Sequence, residues 1–425
     1  MLIMLYSHDS YGLGHIRRSL EIAQHLSDHI PQASLIMLTG SMQAHAYSLP
    51  ERMEYIKLPA LTKDAEGRYC SRLLPHTIDI TMKLRQKIIL ESIRNLKPDI
   101  LLVDKAPAGI RGELVPALNF IKANLPTTKI ILGMRDIEDH PTHVQAEWEK
   151  SGIIPLLKST YHAIFLYGSR TLYDPVKEYG LPPIIEKKFI SCGYVGRTQR
   201  AVSPEHIRTE LLPQTNRLVL VTPGGGDDGY PLLKTYVDML RKHACSGQPT
   251  FDTLLVTGPL MNPQHRRRLQ QAASPELALT VLEFTPRLYD YLVSADLVVS
   301  MGGYNTIVEI LTANQRGIIV PRVHPRLEQY IRGERLAAQG LINMIHPDDL
   351  TPKRLFTTIT ESLQQPRPPR PQDIGIALDG ALNASKAVKQ LYEEGQRNKV
   401  STARLQRSLD VHVAPPLLKA SHVTM

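Results

Sequence analysis

One stretch near the carboxyl-terminal end of the chain constrains its fold more than any other. It covers residues 298–341, VVSMGGYNTIVEILTANQRGIIVPRVHPRLEQYIRGERLAAQGL. An apolar run ends at Val299, a glycine pair follows, and Ile307, Ile310 and Leu311 then recur at helical spacing before a second apolar run at residues 317–320. Strand, helix and strand in unbroken succession predict the parallel crossover of a doubly wound α/β sheet.

The glycine turn inside this stretch is the place where a ligand is expected. Backbone N–H groups at a helix start attract phosphate, and Gly302 and Gly303 allow a ligand to approach the main chain closely. Glu309 lies one turn further on, where a carboxylate can accept hydrogen bonds from a ribose. The next strand delivers Glu328 and Gln329. An ordinary crossover with a glycine turn remains the alternative.

A second glycine turn occurs at the amino-terminal end, in residues 7–23, SHDSYGLGHIRRSLEIA. It follows a predicted strand at 2–6 and precedes a helical pattern of Ile16, Leu20 and Ala23, so His15 is presented at a helix start. An imidazole titrates near neutral pH and can take a proton from a hydroxyl. In the alternative, His15 only caps its helix. The adjacent Arg17 and Arg18 are expected on a solvated helix face, with contact to an anionic acceptor as the alternative.

Taken together and in this order, the two motifs resemble the GT-B glycosyltransferases, especially the branch containing the N-acetylglucosaminyltransferase of peptidoglycan synthesis. The GxGH pattern is matched by Gly12 to His15, and the carboxyl-terminal motif is matched from Ser300 to Gln329. The resemblance implies a fold of two Rossmann-like doubly wound domains facing a central cleft. Two departures, SYGLGH in the first turn and Tyr304 in the second, leave the acceptor unassigned and argue against a direct role in peptidoglycan synthesis.

The resemblance also implies roles for individual residues. His15 would be the general base, and Glu328 and Gln329 would contact the donor sugar. Gly14, Asp104, Arg135 and Asp136, at helix starts or strand ends of the first half, are candidates for the acceptor side. The donor nucleotide and its diphosphate would be held by Gly224, Gly225, Ser300, Gly302, Gly303, Asn305, Thr306 and Glu309.

The domain organisation follows from the alternating pattern and from a polar, glycine-containing passage at 193–204, GYVGRTQRAVSP. We expect an acceptor domain at 1–196, a nucleotide-sugar domain at 197–370, and a helix at 371–394 that crosses back to the first domain. Residues 395–425 are expected to form a mobile basic tail. The partners expected for such an arrangement are a nucleotide-sugar donor and a carbohydrate, lipid-linked or small-molecule acceptor.

Composition limits the remaining choices. The chain has 425 residues, a formal net charge of +9 and three widely spaced cysteines, so it has neither a disulfide framework nor a CxxC metal pair. No leader or apolar run of membrane-spanning length is present, which predicts a cytoplasmic protein, and the family implies peripheral contact with the inner membrane face. The basic residues are dispersed and carry no nucleic-acid motif, so nucleic acid is not expected as a partner.

No metal site or cofactor is expected. The segment at 136–143, DIEDHPTH, offers carboxylates and histidines, but Pro141 is expected to interrupt the helix that would hold them. The function expected from the resemblance is therefore inverting, metal-independent transfer of a sugar, from a uridine-linked nucleotide diphosphate sugar to a hydroxyl acceptor. The alternatives are a nucleotide-sugar hydrolase of the sialic-acid-like type, a nucleotide-sugar 2-epimerase, and a non-catalytic nucleotide-sugar sensor.

Overall fold

The structure is a computed structural model that describes residues 1–8, 14–64, 68–197, 203–211, 215–244 and 250–411, with 63 and 398–411 as backbone only. Within these ranges the chain forms two parallel sheets, each covered by helices, and one short antiparallel hairpin. The first sheet is built from residues before 192 and the second from residues after 217.

The first unit alternates strands and helices. Its elements are β1 (Leu2–Ser7), α1 (Gly14–His29), β2 (Ser34–Thr39), β3 (Met53–Lys57), β4 (Leu61–Lys63), β5 (Tyr69–Ser71), α2 (Ile78–Leu96), β6 (Ile100–Asp104), α3 (Val115–Asn124), β7 (Lys129–Arg135), α4 (Pro141–Lys150), α5 (Ile153–Ser159), β8 (Ala163–Tyr167), α6 (Pro175–Glu178), α7 (Pro183–Glu186) and β9 (Phe189–Ser191). The strand order is β3-β2-β1-β6-β7-β8-β9, and all these strands run parallel. β4 and β5 pair antiparallel outside this sheet.

The second unit repeats the pattern. Its elements are α8 (Pro204–Leu211), β10 (Leu218–Thr222), α9 (Tyr230–Ala244), β11 (Asp252–Val256), α10 (Pro263–Gln270), β12 (Leu279–Leu282), α11 (Leu288–Ser294), β13 (Leu297–Ser300), α12 (Tyr304–Thr312), β14 (Gly317–Ile319), α13 (Glu328–Ala338), β15 (Asn343–Met344), α14 (Pro352–Gln364) and α15 (Gly380–Val411). The strand order is β12-β11-β10-β13-β14-β15, again parallel.

Burial explains why these segments are strands. All five residues of β6 and of β10 are buried, as expected for strands covered by helices on both faces. In each sheet the strand order reverses beside the first strand, between β1 and β6 and between β10 and β13. Ligands of such sheets bind beyond the carboxyl ends of the strands at this reversal. The predicted class, two Rossmann-like doubly wound units, is confirmed.

The carboxyl-terminal helix returns to the first unit. α15 packs against α1, and Asn383 Nδ2 donates a hydrogen bond of 2.8 Å to the carbonyl of Cys192. The helix continues to Val411, past the end predicted at 394, because Gly395 is an isolated glycine and residues 396–411 contain no proline. Residues 412–425, and residues 198–202 of the predicted boundary, lie outside the described ranges.

Some elements differ from the sequence expectation. The strands β3, β4, β5 and β15 were not predicted, because they are short and only half buried, so their patterns are weak. Pro141 does not interrupt a helix but begins α4. A proline fits the first helical position because its missing N–H would have no partner within the helix there.

Candidate active site

The two helices that follow the glycine turns begin face to face. Asn305 Nδ2, in the first turn of α12, donates a hydrogen bond of 3.2 Å to the carbonyl of Gly14, the first residue of α1. Tyr304 adds a second bridge between the units, since its hydroxyl donates to the carbonyl of Tyr167 at 3.0 Å. The structure thus brings together two motifs that are separated by 291 residues. Gly12, the first glycine of the GxGH pattern, lies outside the described ranges.

His15 is held by a buried carboxylate. Its Nδ1 lies 2.6 Å from Asp104 Oδ2, at the end of β6. The other oxygen, Oδ1, accepts hydrogen bonds from Arg18 Nε at 3.0 Å and Nη2 at 2.6 Å. Arg18 Nη2 also lies 3.1 Å from His15 Nδ1, but the carboxylate is closer. Because an ionised carboxylate only accepts hydrogen bonds, the Nδ1 nitrogen carries the proton and Nε2 carries the lone pair. This arrangement leaves Nε2 as the basic atom of the ring.

Burial and charge set the protonation states of this group. Burial lowers the pKa of His15 to about 4, against the opposing effect of Asp104. Burial alone would raise the pKa of Asp104, but Arg18 and His15 outweigh it and hold that pKa well below its usual range. At neutral pH the pair is therefore an imidazole beside a carboxylate, which is the state a general base requires.

The environment of the two arginines differs from the expectation of a solvated face. Arg18 is 4% exposed and is committed to Asp104, while Arg17 forms an ion pair with Glu309 of the second unit. The helical pattern alone could not reveal this, because both carboxylates come from distant parts of the chain.

The start of α12 is shaped to admit an anion. Its N-cap residue is Gly303, no side chain caps the helix, and the first turn has no acidic residue. Gly302 has φ +83°, and a Cβ there would lie 2.7 Å from Ile319 Cγ2, so only glycine fits. A Cβ on Gly303 would meet nothing within 4 Å, so this side of the turn is open. Backbone N–H groups and the helix dipole favour negative charge at such a position.

The first loop of the second unit approaches the same helix. Gly224 has φ +87°, and a Cβ on it would lie 3.6 Å from Thr306 Oγ1. Gly225 follows and sits against Leu260, where a Cβ would meet Cδ1 at 3.4 Å. The predicted diphosphate residues of the two loops therefore lie next to each other.

Ser300 and Glu309 flank this turn from inside the fold. Ser300 is fully buried at the carboxyl end of β13, and its Oγ has no hydrogen-bond partner within the described ranges. Glu309 is 3% exposed and pairs with Arg17 through Oε1, while its buried Oε2 also lacks a partner there. A ribose contact at Glu309 would thus use the free oxygen or replace Arg17.

The two predicted donor-sugar residues begin α13. Gln329 Oε1 accepts a hydrogen bond of 3.1 Å from the N–H of Arg322, and Glu328 forms an ion pair with the Arg322 guanidinium. Arg322 also pairs with Asp228 at 3.1 Å, which ties this segment to the glycine loop after β10. Both predicted residues are more than nine-tenths buried.

The sequence analysis expected Asp136 on the acceptor side, but the structure buries it in an ion pair. It is 1% exposed, and its two carboxylate oxygens accept hydrogen bonds from Arg332 Nε at 2.7 Å and Nη2 at 2.8 Å. Arg332 Nη1 in turn donates to the carbonyl of Gly302 at 3.2 Å. The carboxylate therefore positions the arginine that braces the glycine turn. Sequence analysis missed Arg332, and its only signal is its place one turn after Gln329 on α13.

Two further observations concern metal binding and membrane spanning. Within the described ranges, no three His, Cys, Asp or Glu side chains are grouped so that they could hold a metal ion. The helices of the same part of the chain include none that is long and apolar enough to cross a membrane.

Known proteins resemble this chain in sequence. Residues 219–391 match the profile of the glycosyltransferase family 28 C-terminal domain. A UDP-N-acetylglucosamine--N-acetylmuramyl-(pentapeptide) pyrophosphoryl-undecaprenol N-acetylglucosamine transferase of Pasteurella multocida is 32% identical over 96 residues, 21% of this chain and 27% of the relative. A transferase of the same name, numbered 2, from Bacillus thuringiensis is 24% identical over 183 residues, 43% of this chain and 48% of the relative. The aligned parts thus span less than half of these relatives.

Solved structures resemble the chain over nearly its whole length. The glycotransferase of kitacinnamycin has a TM-score of 0.61 at 17% identity, covering 92% of this chain and 98% of that chain. MurG of Acinetobacter baumannii has a TM-score of 0.52 at 13% identity, covering 88% and 97%. A UDP-GlcNAc 2-epimerase from Neisseria meningitidis has a TM-score of 0.58 at 11% identity, covering 93% and 100%. At these identities the likeness shows the fold, which is that of the GT-B glycosyltransferases, as the two motifs predicted.

Proposed function

Since residues 219–391 match the glycosyltransferase family 28 C-terminal domain and the chain has a GT-B fold, we propose that the protein transfers a sugar from a nucleotide diphosphate sugar to an acceptor hydroxyl. The observation that carries the proposal is the contact between Asn305 and Gly14 at 3.2 Å. It sets an uncapped helix start, suited to a diphosphate, opposite the helix start that presents His15.

The chemistry follows from these two parts. His15 Nε2 takes the proton from the acceptor hydroxyl, whose oxygen then attacks the anomeric carbon from the face opposite the diphosphate. The bond between the anomeric carbon and the diphosphate oxygen breaks, and its electron pair leaves with the diphosphate. Attack from the opposite face inverts the configuration at the anomeric carbon.

The leaving diphosphate gains negative charge as that bond breaks. The N–H groups at the start of α12 and the loop at Gly224 and Gly225 stabilise this charge, and a key donor of this kind contributes about 3 kcal/mol. Because helix dipole and amides supply the positive potential, the proposal includes no metal ion. Activity should be unchanged when EDTA removes divalent cations, and its loss on chelation with recovery on adding a metal would contradict this part.

The donor we propose is a UDP-sugar. The curated relatives are transferases whose names state a UDP-N-acetylglucosamine donor and an undecaprenol-linked acceptor. A thermal-shift series with nucleotides and nucleotide sugars tests the donor class, because a ligand selective for the folded state raises the melting temperature. Uridine diphosphate compounds should stand apart from adenosine, guanosine and cytidine compounds.

The exposed surface of the first unit fits a lipid-linked acceptor. Leu73, Leu74, Ile80 and Leu84 are 73%, 39%, 52% and 43% exposed, and the basic Arg72 and Lys83 beside them are exposed too. An apolar surface bordered by cations binds anionic membranes. We propose peripheral contact with the cytoplasmic face of the inner membrane. Co-sedimentation of the protein with anionic vesicles tests this contact. A Leu73→Ser, Ile80→Ser double variant should remain in the supernatant.

The central test is turnover by His15→Ala. Loss of a general base lowers the rate by about 10²–10⁴-fold, while UDP binding should be unchanged. Analysis of the products separates the related activities. Free sugar released at the same rate with and without acceptor would indicate a hydrolase, and an epimerised nucleotide sugar would indicate an epimerase.

A further inference from the structure

Two cations in the cleft share one carboxylate. Lys105 follows β6 and Arg135 ends β7, and the Lys105 Nζ and Arg135 Nη2 atoms lie 3.5 Å and 3.7 Å from the same Glu138 Oε2. Their side chains are only 20% and 14% exposed. Both distances exceed a hydrogen bond, so neither cation is fully compensated by Glu138. A partly buried charge without its own counter-charge is unfavourable until an anion joins it.

The neighbouring charges are already committed. Arg322 pairs with Glu328 and Asp228. Arg326 lies 3.5 Å from Glu147, an ion-pair contact as long as that between Lys105 and Glu138. Burial and the adjacent Arg135 lower the pKa of Lys105 to about 8, against the opposing effects of Glu138 and Glu328. Counted with Glu138 alone, Lys105 and Arg135 carry one positive charge more than the carboxylate between them, and Glu328, which is paired with Arg322, also acts on both cations.

In the part of the chain that the structure describes, Arg135 itself and three groups that act electrostatically on the two cations have polar atoms without partners. Arg135 Nε, Glu138 Oε1, Glu328 Oε2 and His8 Nδ1 are buried and have no hydrogen-bond partner within the described ranges. The His8 ring lies 5.3 Å from the His15 ring, edge to face. Buried polar groups are nearly always hydrogen-bonded, so an unpaired set that includes donors and acceptors indicates a ligand with complementary groups.

The backbone at Lys105 is strained in a way that presents its side chain. Its φ is +65°, in the left-handed region, which a residue with a side chain adopts less readily than glycine. The Lys105 N–H donates to the Gly133 carbonyl at 2.8 Å and the Ala106 N–H to the Asp104 carbonyl at 2.8 Å. This tight turn places Asp104 against His15 and Lys105 beside Arg135. Strain of this kind is concentrated at functional sites.

We propose that Lys105 and Arg135 bind an anionic group, a carboxylate or a phosphate, on one of the two substrates that meet in the cleft, while Glu138 and Glu328 accept hydrogen bonds from that substrate's hydroxyls. The assignment rests on the proposed glycosyl transfer. The anion has two sources: an acidic sugar on the donor, such as a uronic acid, or an acidic group on the acceptor. Guanidinium and ammonium groups form charge-assisted hydrogen bonds with either anion.

Calorimetric titrations of the full chain and three variants test the assignment. Lys105→Gly removes the ammonium and suits the left-handed backbone, so it should be at least as stable as the wild type. Arg135→Gln removes the second cation, and Lys150→Gln removes a charge from the exposed end of α4 as a matched control. The ligands are UDP, UDP-glucose, UDP-glucuronic acid, and inorganic phosphate added with and without saturating UDP.

The expected result is that all four proteins bind UDP with the same affinity. Only the two cleft variants should bind the anionic group more weakly. Lys105→Gly and Arg135→Gln should each lose about tenfold or more of the affinity for the anion, and Lys150→Gln none. A preference of the wild type for UDP-glucuronic acid over UDP-glucose assigns the anion to the donor. If the UDP-saturated protein binds phosphate and the wild type does not prefer UDP-glucuronic acid over UDP-glucose, the anionic group belongs to the acceptor.

Two other outcomes are decisive. If the wild type shows neither a preference for the acidic donor nor phosphate binding, or if Lys150→Gln loses as much as the cleft variants, the assignment is wrong. If the wild type does not bind UDP, the proposed glycosyl transfer fails, and the phosphate titration without UDP still decides whether Lys105 and Arg135 form an anion site. A melting curve for each variant excludes misfolding, and Lys105→Gly decides alone should Arg135→Gln not fold.

Discussion

At the scale of single residues, the chemistry depends on His15 and the carboxylate that holds it. The Nδ1–Oδ2 contact of 2.6 Å fixes the ring and leaves Nε2 as the base. Sequence analysis predicted His15 from its place at a helix start, but assigned Asp104 to the acceptor. The two residues are 89 positions apart, and only the adjacency of β1 and β6 in the sheet brings them together. No local pattern contains that information.

The first prediction concerns the role of Asp104. Asp104→Asn should lower kcat by about a hundredfold or more, because an amide no longer holds the ring in the tautomer with a basic Nε2. UDP affinity should be unchanged, since Asp104 bonds His15 and Arg18 of the first unit and not the start of α12. Steady-state kinetics and calorimetry measure the two quantities. A variant with wild-type kcat would show that Asp104 does not position the base.

The second prediction concerns pH. Because burial lowers the pKa of His15 to about 4, the imidazole stays neutral and basic down to that pH. The acid limb of kcat/KM should therefore fall near pH 4 rather than near 6.5, where an ordinary histidine titrates. The same shift means that stability contributed by neutral His15 decreases as pH falls from 6.5 towards 4, because the unfolded chain then binds the proton more readily. An acid limb near 6.5 in a pH–rate profile would contradict the assignment.

At the scale of elements, the start of α12 is the part of the site that the sequence predicted best. The glycine turn, the helix and the following strand were all visible, because apolar periodicity and glycine placement are local signals. Sequence analysis did not show that Gly302 and Gly303 differ. One has a left-handed backbone packed against Ile319, and the other faces open space.

A pair of alanine substitutions tests that difference. Gly302→Ala should destabilise the protein by about 1–3 kcal/mol, because its φ is +83° and the added Cβ would meet Ile319 at 2.7 Å. It should also weaken UDP binding by distorting the turn. Gly303→Ala is the matched control and should keep the wild-type melting temperature. Equal stability of the two variants would show that the turn is not constrained as described.

The ion pair between α1 and α12 gives the next prediction. Arg17 occupies Oε1 of Glu309, the carboxylate expected to hold the ribose. Arg17→Gln removes this competitor and leaves a buried carboxylate that a ribose can satisfy, so UDP should bind several-fold more tightly. In a Glu309→Gln background the same substitution should change nothing. Weaker UDP binding by Arg17→Gln alone would instead make Arg17 part of the nucleotide site.

At the scale of the whole molecule, contacts between the two units hold the site together. Sequence analysis predicted two doubly wound units and a final helix, because each unit is specified by its own strand and helix pattern. It could not predict how they meet. Asp136 was assigned to the acceptor, whereas the structure pairs it with Arg332 across the cleft. A charge that is satisfied by the other unit looks the same in the sequence as one that faces a ligand.

The Asp136–Arg332 pair makes a prediction at this scale. Asp136→Ala should destabilise the protein by about 3–5 kcal/mol, since it leaves the Arg332 guanidinium buried without its counter-charge. A double variant, Asp136→Leu with Arg332→Met, should recover much of that stability in chemical denaturation. It should still bind UDP weakly, because the hydrogen bond from Arg332 to the Gly302 carbonyl is gone. Full recovery of UDP binding would show that the Asp136–Arg332 pair does not support the glycine turn at Gly302.

The central claim is that the main chain at the start of α12 holds the diphosphate of a nucleotide opposite His15. A crystal structure of the UDP complex tests it most directly. The predicted result is a phosphate oxygen within about 3 Å of backbone nitrogens in the first turn, residues 304–306, with Glu309 beside the ribose. A diphosphate bound elsewhere, with that helix start facing only solvent, would contradict the account.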